Sequence, residues 1–341
     1  MTHEAPNTSN TSAVAAPDSV LLGVYLSSRV IRLGTVSPDG RLLSLRREQY
    51  LNQSGQPVTG TALAAQLHAL VSATFAEQSE RAPVAAIGVG LPGLVNQHTH
   101  RMVTVTNAPS LGEVDLFHEF EREFKVPIAF ENNANAAAWA EMSCGVAKGV
   151  SDWLYLSIGT GIGAGLILDG KLRRGRSGYA GELGHINIDP DGEQCACGSF
   201  GCLETKTSVP SIVRRTRARL RRDATSSLSR FDEDELTYEA IIEAAQAGDD
   251  LARLMMSRTG HFLGMAVADL INVLNLSMVV IGGAMGARPL LIAGIIEEAH
   301  RRAFAPALAD CQIVASQLGE EAGVIGAALL ASQALMRASA P

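Results

Sequence analysis

Four residues with metal-binding side chains lie close together in the sequence, one histidine followed by three cysteines. They are His185, Cys195, Cys197 and Cys202, with the spacing H-x9-C-x-C-x4-C. Three thiolates and an imidazole are a ligand set of closed, tetrahedral zinc sites, which stabilise structure. The alternative, three reduced thiols beside a surface histidine, fits the ligand count and the compact spacing less well. We therefore predict that these four residues bind a structural Zn²⁺ ion.

The composition of the chain restricts what else the protein can do. It has 341 residues, of which 47% are hydrophobic and 18% charged, and this length can bury the core of two lobes. The net charge of −7 does not favour nucleic acid or an anionic membrane as a partner. No apolar run is long enough to span a bilayer, and residues 1–19 lack the features of a signal peptide. We expect residues 1–19 to form a disordered tail and the protein to be cytoplasmic.

The predicted secondary structure around the cysteines repeats one order of elements. Three apolar strands separated by turns fill residues 20–49, and two further strand-length apolar runs fill residues 153–158 and 163–168. Helical and strand patterns alternate after each of these openings. This order predicts two related α/β lobes, and lobes of this kind bind ligands in the cleft between them.

The segment around the cysteines resembles the signature of the ROK (repressor, open reading frame, kinase) family of sugar kinases and sugar-responsive regulators. It reads GELGH at residues 181–185 and CACGSFGCLE at residues 195–204. The resemblance implies that Glu182, His185 and Glu204 bind sugar hydroxyls and that His185 also holds the zinc. Carboxylates and an imidazole offer directional acceptors, and a metal fixes the ring that presents them. Without the family, the two glutamates would more often be solvated surface charges.

Five further motifs resemble those of the family and occur in the family's order. They are GLPGLV (90–95), ENNANAAA (131–138), GTGIGAG (159–165), IGGAMG (281–286) and EAGVIGAA (321–328). A single glycine loop would suit a tight hairpin equally well, but an ordered set of motifs is specific. The resemblance implies that Asn132 and Asn133 contact the sugar. It also implies a phosphate loop and an adenosine motif, formed by Gly159, Thr160, Gly161, Gly163, Gly282 and Gly283.

The resemblance covers nearly all of residues 20–331 and implies the actin-like, ribonuclease-H-like ATPase fold. We expect two duplicated α/β lobes with a zinc-binding insertion. The first lobe is expected to comprise residues 20–133 and about 318–335. The second is expected to comprise residues 134–317, with the zinc loop at residues 181–206. A kinase of this family would use ATP with Mg²⁺ in addition to the structural Zn²⁺.

The ENNANAAA motif departs from the family at the residue that performs catalysis. Family kinases have an aspartate at its third position, where it acts as general base on the sugar hydroxyl, and this chain has Asn133. An amide can hold a hydroxyl by a hydrogen bond, but it cannot accept its proton at neutral pH. Loss of a general base costs about 10²–10⁴-fold in rate. Glu131 belongs to the preceding strand, and nothing in the sequence indicates that it replaces the base.

The first phosphate loop departs from the family as well. Family kinases begin with a strand that ends D-x-G-G-T, whereas this chain reads YLSSR. Tyr25 replaces the acidic residue that serves the metal–phosphate end of ATP. Ser27 and Ser28 replace glycines that allow the backbone to approach a phosphate. Arg29 leaves two interpretations open, a cation for an anionic ligand or, more commonly, an exposed surface residue.

Both departures fall on the phosphoryl-transfer machinery, whereas the sugar and zinc motifs are intact. The sequence therefore favours a sugar sensor or regulatory pseudokinase that binds a hexose or N-acetylhexosamine. The alternative is an active ATP-dependent hexose kinase that phosphorylates the sugar 6-hydroxyl. A transcriptional repressor is disfavoured, because about nineteen residues precede the first strand and a helix-turn-helix needs a helical domain of its own.

A basic run follows the zinc loop and leaves its own alternatives open. It comprises Arg214, Arg215, Arg217, Arg219, Arg221 and Arg222. Such a run can contact phosphates or an acidic partner, but it is more often a solvated helix face. The family resemblance also implies a homo-oligomer, either a dimer or a tetramer. We expect a sugar as the small-molecule partner, and neither DNA nor a membrane.

Overall fold

A computed structural model of the chain describes most of the sequence. The described residues are 18–50, 60–96, 98–99, 101–104, 111, 114–222, 225–232, 234–286 and 288–338. The disordered tail predicted at residues 1–19 falls outside this part of the chain, apart from its last two residues.

Strands and helices alternate along the chain after an opening meander. The strands are β1 (Val20–Leu26), β2 (Val30–Val36), β3 (Leu42–Gln49), β4 (Val84–Leu91), β5 (Leu94–Asn96), β6 (Arg101–Thr104), β7 (Ile128–Asn132), β8 (Trp153–Ile158), β9 (Ile162–Leu168), β10 (Lys171–Leu172), β11 (Met278–Gly282) and β12 (Gln312–Ala315). The helices are α1 (Gly60–Ser79), α2 (Leu116–Glu123), α3 (Asn133–Cys144), α4 (Leu203–Thr207), α5 (Val209–Leu220), α6 (Tyr238–Gln246), α7 (Asp250–Leu274), α8 (Pro289–Arg302), α9 (Ala305–Ala309) and α10 (Ala322–Ala338).

Two five-stranded sheets have the same topology. Their strand orders are β3-β2-β1-β4-β7 and β10-β9-β8-β11-β12. In each sheet three strands form an antiparallel meander, and two further strands add in parallel. The central strands β1 and β8 are almost entirely buried, which explains their continuous apolar sequences. The repeated topology confirms the predicted α/β class with two duplicated lobes.

Helices α3 and α10 form the layer between the two sheets. Helix α10 packs on β1 and β4 of the first sheet, whereas α3 packs on α10 and on β9 of the second. The approach of the two helices requires glycine at position 326, because a Cβ atom there would lie 1.6 Å from the carbonyl oxygen of Ala136. Strand β7 runs directly into α3, so this layer places Asn133 at the junction of the two lobes. The exact lobe boundaries stay a prediction.

The basic run lies on α5 and at its C-terminal end. Three of its arginines donate to backbone carbonyl groups of neighbouring segments, Arg214 to Thr205, Arg215 to Lys206 and Arg217 to Leu236. These bonds help to hold α5 against its neighbours, while the side chain of Arg214 is still 49% exposed. The solvated-face interpretation of the basic run stays a prediction.

The β5–β6 hairpin and the short helices α4 and α9 were not predicted from the sequence. These elements are too short for periodicity to reveal, since β5 has three residues and α4 and α9 have five each. Among the described residues, no helix has the length and apolar character needed to cross a membrane.

Candidate functional site

A cleft of about 290 Å³ lies between the two lobes, where loops and strand ends from both sheets meet. Its lining joins nearly all of the motifs singled out in the sequence. The predicted sugar-binding and nucleotide-binding residues on its walls are Asn132, Asn133, Gly159, Thr160, Gly161, Gly163, Glu182, His185, Glu204 and Gly283. The fold therefore brings together segments that are up to 150 residues apart in the sequence.

The four predicted metal ligands form one cluster beside the cleft. All four ligand atoms lie within 4.8 Å of one another. The Nδ1 atom of His185 is 3.6 Å from the Sγ atom of Cys195, and the Sγ atoms of Cys197 and Cys202 are 3.7 Å apart. A tetrahedral zinc ion with Zn–S bonds of about 2.3 Å sets adjacent ligand atoms about 3.6–3.8 Å apart. The cluster therefore fits Zn²⁺ in both donor type and spacing.

His185 connects the metal cluster to the cleft. Its Nδ1 atom faces the cysteines, and its Nε2 atom lies 3.8 Å from the Oε2 atom of Glu182. A metal on Nδ1 would leave Nε2 to carry the ring proton and donate it to a ligand in the cleft. Burial raises the pKa of the Glu182 carboxyl, and the nearby charge of Glu204 raises it further, whereas His185 lowers it.

Glu204 ties the sugar end of the cleft to the predicted phosphate loop. Its Oε2 atom accepts a hydrogen bond of 2.8 Å from the backbone N–H of Ile162. Gly161 is in contact with the same carboxylate, and a Cβ atom there would lie 2.7 Å from Oε2. Sugar hydroxyls that reach Glu204 would thus touch a group that also orders the β8–β9 turn.

Asn132 performs a structural task at the start of α3. Its Oδ1 atom accepts from the backbone N–H groups of Ala134 and Asn135 and caps the helix. Its Nδ2 group donates to the carbonyl oxygen of Gly93 at 2.9 Å. Both polar ends of the side chain are therefore engaged within the protein, and its predicted sugar contact stays a prediction.

The side chain of Asn133 is turned into the first lobe. Its Nδ2 group donates to the carbonyl oxygen of Leu26 at 2.7 Å. Its Oδ1 atom is buried beside Gly90 and has no hydrogen-bond partner among the described residues. Asn133 thus lines the cleft without presenting a proton acceptor to it.

Glu131 does not supply the missing base. Its carboxylate is buried and forms an ion pair of 2.6 Å with Arg174, which belongs to the second lobe. It also accepts from the Nδ2 group of Asn135 and from its neighbour's backbone N–H. These bonds engage both carboxylate oxygens, in agreement with the expectation that Glu131 does not replace the general base.

Tyr25 occupies the position where family kinases have an acidic residue. Its ring packs against Gly323 at the start of α10, where a Cβ atom would lie 2.1 Å from the ring. Burial raises the pKa of the Tyr25 phenol, with Arg32 acting in the opposite direction. The phenol is therefore neutral at physiological pH and contributes no carboxylate for a metal ion.

The turn that follows Tyr25 is closed upon itself. Both the backbone N–H and the hydroxyl of Ser27 donate to the carbonyl oxygen of Val30. Arg29 is exposed and does not line the cleft, which agrees with the surface interpretation of this residue. The cation that does line the cleft is Arg32, which the sequence reasoning missed. The available sequence signal for Arg32 was the alternation of side chains along β2, which places Arg32 on the same face of the strand as Val30.

The predicted adenosine motif meets the cleft through one of its two glycines. Gly283 lines the cleft with a φ of 78°, a left-handed conformation that favours glycine. Gly282 instead packs against the hydroxyl of Tyr155, where a Cβ atom would lie 2.0 Å from the oxygen. Tyr155 also lines the cleft and was not singled out in the sequence.

Comparison with known proteins identifies the family. The chain matches the model described as ROK family over residues 31–334. It is 32% identical to a glucokinase of Halalkalibacterium halodurans, over 93% of this chain and 96% of that relative. It is 34% identical to a xylose repressor of Caldicellulosiruptor bescii, over 71% of this chain but only 61% of the repressor. The chain therefore belongs to the ROK family.

Solved structures agree with this assignment. A ROK family glucokinase from Streptomyces griseus, in complex with glucose and AMPPNP, has a TM-score of 0.79 and 32% identity, covering 92% of this chain and 99% of the other. A ROK family transcriptional regulator, a homologue of the E. coli MLC protein, has a TM-score of 0.81 and 30% identity, covering 94% and 79%. The predicted actin-like, ribonuclease-H-like fold is confirmed.

Proposed function

We propose that this protein is a sugar-binding ROK family member, a sensor or regulatory pseudokinase, whose phosphoryl transfer is impaired. The observation that carries this proposal is the state of Asn133. An amide cannot take the proton of the sugar hydroxyl; the Nδ2 group of this amide is already bonded to the carbonyl oxygen of Leu26, and its Oδ1 atom is buried. A missing general base lowers the rate by about 10²–10⁴-fold.

The sugar half of the cleft supports the binding part of the proposal. Glu182, His185 and Glu204 all line the cleft, and the Nε2 atom of His185 lies 3.8 Å from the Oε2 atom of Glu182. We expect a hexose or N-acetylhexosamine as ligand, in line with the glucose bound to the Streptomyces griseus relative. Buried or half-buried carboxylates without a ligand are costly, so hydroxyl donors from a sugar would stabilise them.

Zinc in this proposal has a structural role. His185, Cys195, Cys197 and Cys202 would hold it, and it would fix the His185 ring so that Nε2 donates to the sugar. The sugar itself is bound by this chain's own residues. Glu182 and Glu204 accept hydrogen bonds from its hydroxyls, and Glu204 also holds the β8–β9 turn through the backbone N–H of Ile162.

An active hexose kinase is the second candidate. It is favoured by 32% identity to glucokinases over almost the whole chain and by the intact glycine turn at residues 159–163. ATP with Mg²⁺ would then be the cofactor. A transcriptional repressor is the third candidate, in line with the 34% identity to a xylose repressor, of which this chain covers 61%.

The test is a coupled ADP-release assay on zinc-loaded protein, with Mg-ATP and a panel of hexoses and N-acetylhexosamines. The Streptomyces griseus glucokinase serves as the positive control. We expect no sugar-dependent ADP release above background from this protein. Turnover of about 1–10³ per second with any one sugar would overturn the proposal and establish the kinase.

We also propose a homo-oligomer, and this part is independent of the catalytic question. Val273 on α7 and Phe304 beside it are 76% and 69% exposed, and the Oδ1 atom of Asn272 accepts from the backbone N–H of Phe304. These exposed apolar side chains lie on neighbouring segments, and the proposal is that they belong to a larger apolar patch of the kind that marks an association surface. Light scattering coupled to gel filtration would give the mass, and a monomer at micromolar concentration would contradict this proposal.

A further inference from the structure

The cleft contains a guanidinium group that neither the sugar site nor the zinc site uses. We call the part of the cleft away from Glu182, His185 and Glu204 its nucleotide half. Arg32 lines the cleft, and its side chain is only 14% exposed. Tyr25 and Arg32 are direct cross-strand partners in the β1–β2 pair, and the Cζ atom of Arg32 lies 5.9 Å from the centre of the Tyr25 ring. The negative face of an aromatic ring attracts a guanidinium at this distance. Tyr25 therefore helps to fix a permanent positive charge where family kinases have an acidic residue.

The present partner of Arg32 is easily exchanged. The NH2 group of Arg32 lies 2.8 Å from the Oε2 atom of Glu320, whose side chain is 53% exposed. Ion pairs with a half-exposed carboxylate are weak, because water competes for the charge. The Nε atom of Arg32 is buried and has no partner among the described residues. An oxyanion that displaced Glu320 could accept from both groups of this fork at once.

The same half of the cleft offers little to a divalent cation. Three carboxylates line the described cleft, Glu182, Glu204 and Glu320. The first two lie at the sugar end with His185, and Glu320 is already paired with Arg32. Mg²⁺ in phosphate sites is held by one or two carboxylates together with phosphate oxygens. Tyr25 provides no such ligand, so a fixed cation takes the place that a metal ion would otherwise fill.

We propose that this half of the cleft binds the phosphate chain of a nucleoside triphosphate without a metal ion, with Arg32 as the cationic residue. On binding, Arg32 exchanges Glu320 for phosphate oxygens, in the cleft that the turn at Thr160 and Gly161 also lines. The inference rests on the proposed function only because both ligands would bind in the same cleft. Sugar binding and nucleotide binding are measured separately, so either proposal can be overturned while the other stands.

The experiment measures ATP affinity by isothermal titration calorimetry on the zinc-loaded full chain, in buffer freed of divalent cations by chelating resin before the protein is added, and in excess Mg²⁺. Atomic absorption checks that the zinc content is the same in both buffers. We expect ATP to bind without Mg²⁺ at least as tightly as with it. Binding that weakens tenfold or more without Mg²⁺ would overturn the inference, as would the absence of ATP binding in both buffers.

Two substitutions test Arg32 from opposite directions. Arg32→Met should weaken ATP binding at least about tenfold, since it removes a charged donor to phosphate. Glu320→Gln should tighten it by about two- to fivefold, because Arg32 no longer has a competing carboxylate. A gain in affinity cannot result from misfolding, so the second variant keeps the test valid if the first is unstable.

The neighbouring ion pair provides a matched control. Glu321 lies 3.9 Å from Arg47 on β3, and neither residue lines the cleft. Glu321→Gln removes the same charge one residue away and should leave ATP affinity unchanged. Equal tightening in both variants would indicate a general charge effect and would overturn the role of Arg32. Sugar affinity should stay unchanged in all of these variants.

Discussion

Replacing Asn133 with aspartate tests whether the missing base alone would account for the proposed impairment of phosphoryl transfer. The amide Nδ2 group now donates to the carbonyl oxygen of Leu26 at 2.7 Å. A carboxylate there would set a negatively charged oxygen against that carbonyl oxygen, in a buried position. We therefore expect Asn133→Asp to lose stability and to gain no sugar-dependent ADP release, because the new group cannot face the sugar as a free base.

The size of the effect follows from the bond that is lost. Removing one partner of a buried hydrogen bond costs about 1–3 kcal/mol, and more where the remaining group faces a charge. We expect the free energy of unfolding to fall by about 3 kcal/mol at neutral pH. A protonated carboxyl could donate to Leu26 again, so the pKa of the new group should lie above its ordinary value of about 3.9. The stability difference should therefore be smallest at low pH and grow as the pH rises.

Urea denaturation at several pH values measures this difference, and the coupled assay measures ADP release from the same samples. Asn272→Asp is the matched control, because Asn272 is exposed, its Oδ1 atom, which accepts from Phe304, has an equivalent in aspartate, and its Nδ2 group makes only a long, exposed bond of 3.5 Å to the carbonyl oxygen of Arg302. The control should change stability little at any pH. An Asn133→Asp protein that is as stable as the wild type and turns over a sugar would refute the reasoning.

Three further outcomes are expected. Cys197→Ala should lower the zinc content and weaken sugar binding about tenfold, because a His185 ring that the metal no longer fixes loses roughly one hydrogen bond to the sugar. The control variant Cys311→Ala should change neither quantity. Zinc analysis and calorimetry measure the two effects, and full sugar affinity in zinc-free protein would contradict the structural role of the metal. Gly326→Ala should lower the free energy of unfolding by about 3 kcal/mol or prevent folding, because the new Cβ atom would collide with the α3 backbone. An unchanged melting curve would show that the α3–α10 layer adjusts freely. Asp249→Ala should lower the free energy of unfolding by about 2 kcal/mol, because the carboxylate caps α7 and also accepts from the backbone N–H of Ser227. A loss below about 0.5 kcal/mol in urea denaturation would show that the cap contributes little.

Much of the fold could be predicted from the sequence, because it depends on patterns within short segments. The buried strands β1 and β8 are runs of apolar residues, and the turn after β9 contains Asp169 and Gly170, both with positive φ. The metal cluster could also be predicted, since no more than nine residues separate one ligand from the next and their residue types are specific.

The ion pairs between residues that are distant in the sequence could not be predicted in this way. Arg174 pairs with Glu131, and Arg32 pairs with Glu320 across 288 positions of sequence. Many arginines and glutamates are available to each partner, so charge alone does not select the pair. The direction of the Asn133 side chain could not be predicted either. It depends on the hydrogen bond to Leu26, the last residue of β1, which is distant in the sequence.

The most direct test of the central claim combines two measurements on one zinc-loaded sample, sugar affinity by calorimetry and sugar-dependent ADP release. The account predicts that at least one hexose or N-acetylhexosamine binds with micromolar affinity, and that the same sugar releases no ADP from Mg-ATP above background. A sugar that binds and is turned over at about 1 per second or faster would contradict the impaired transfer. The absence of binding by every sugar in the panel would contradict the sugar-binding role itself.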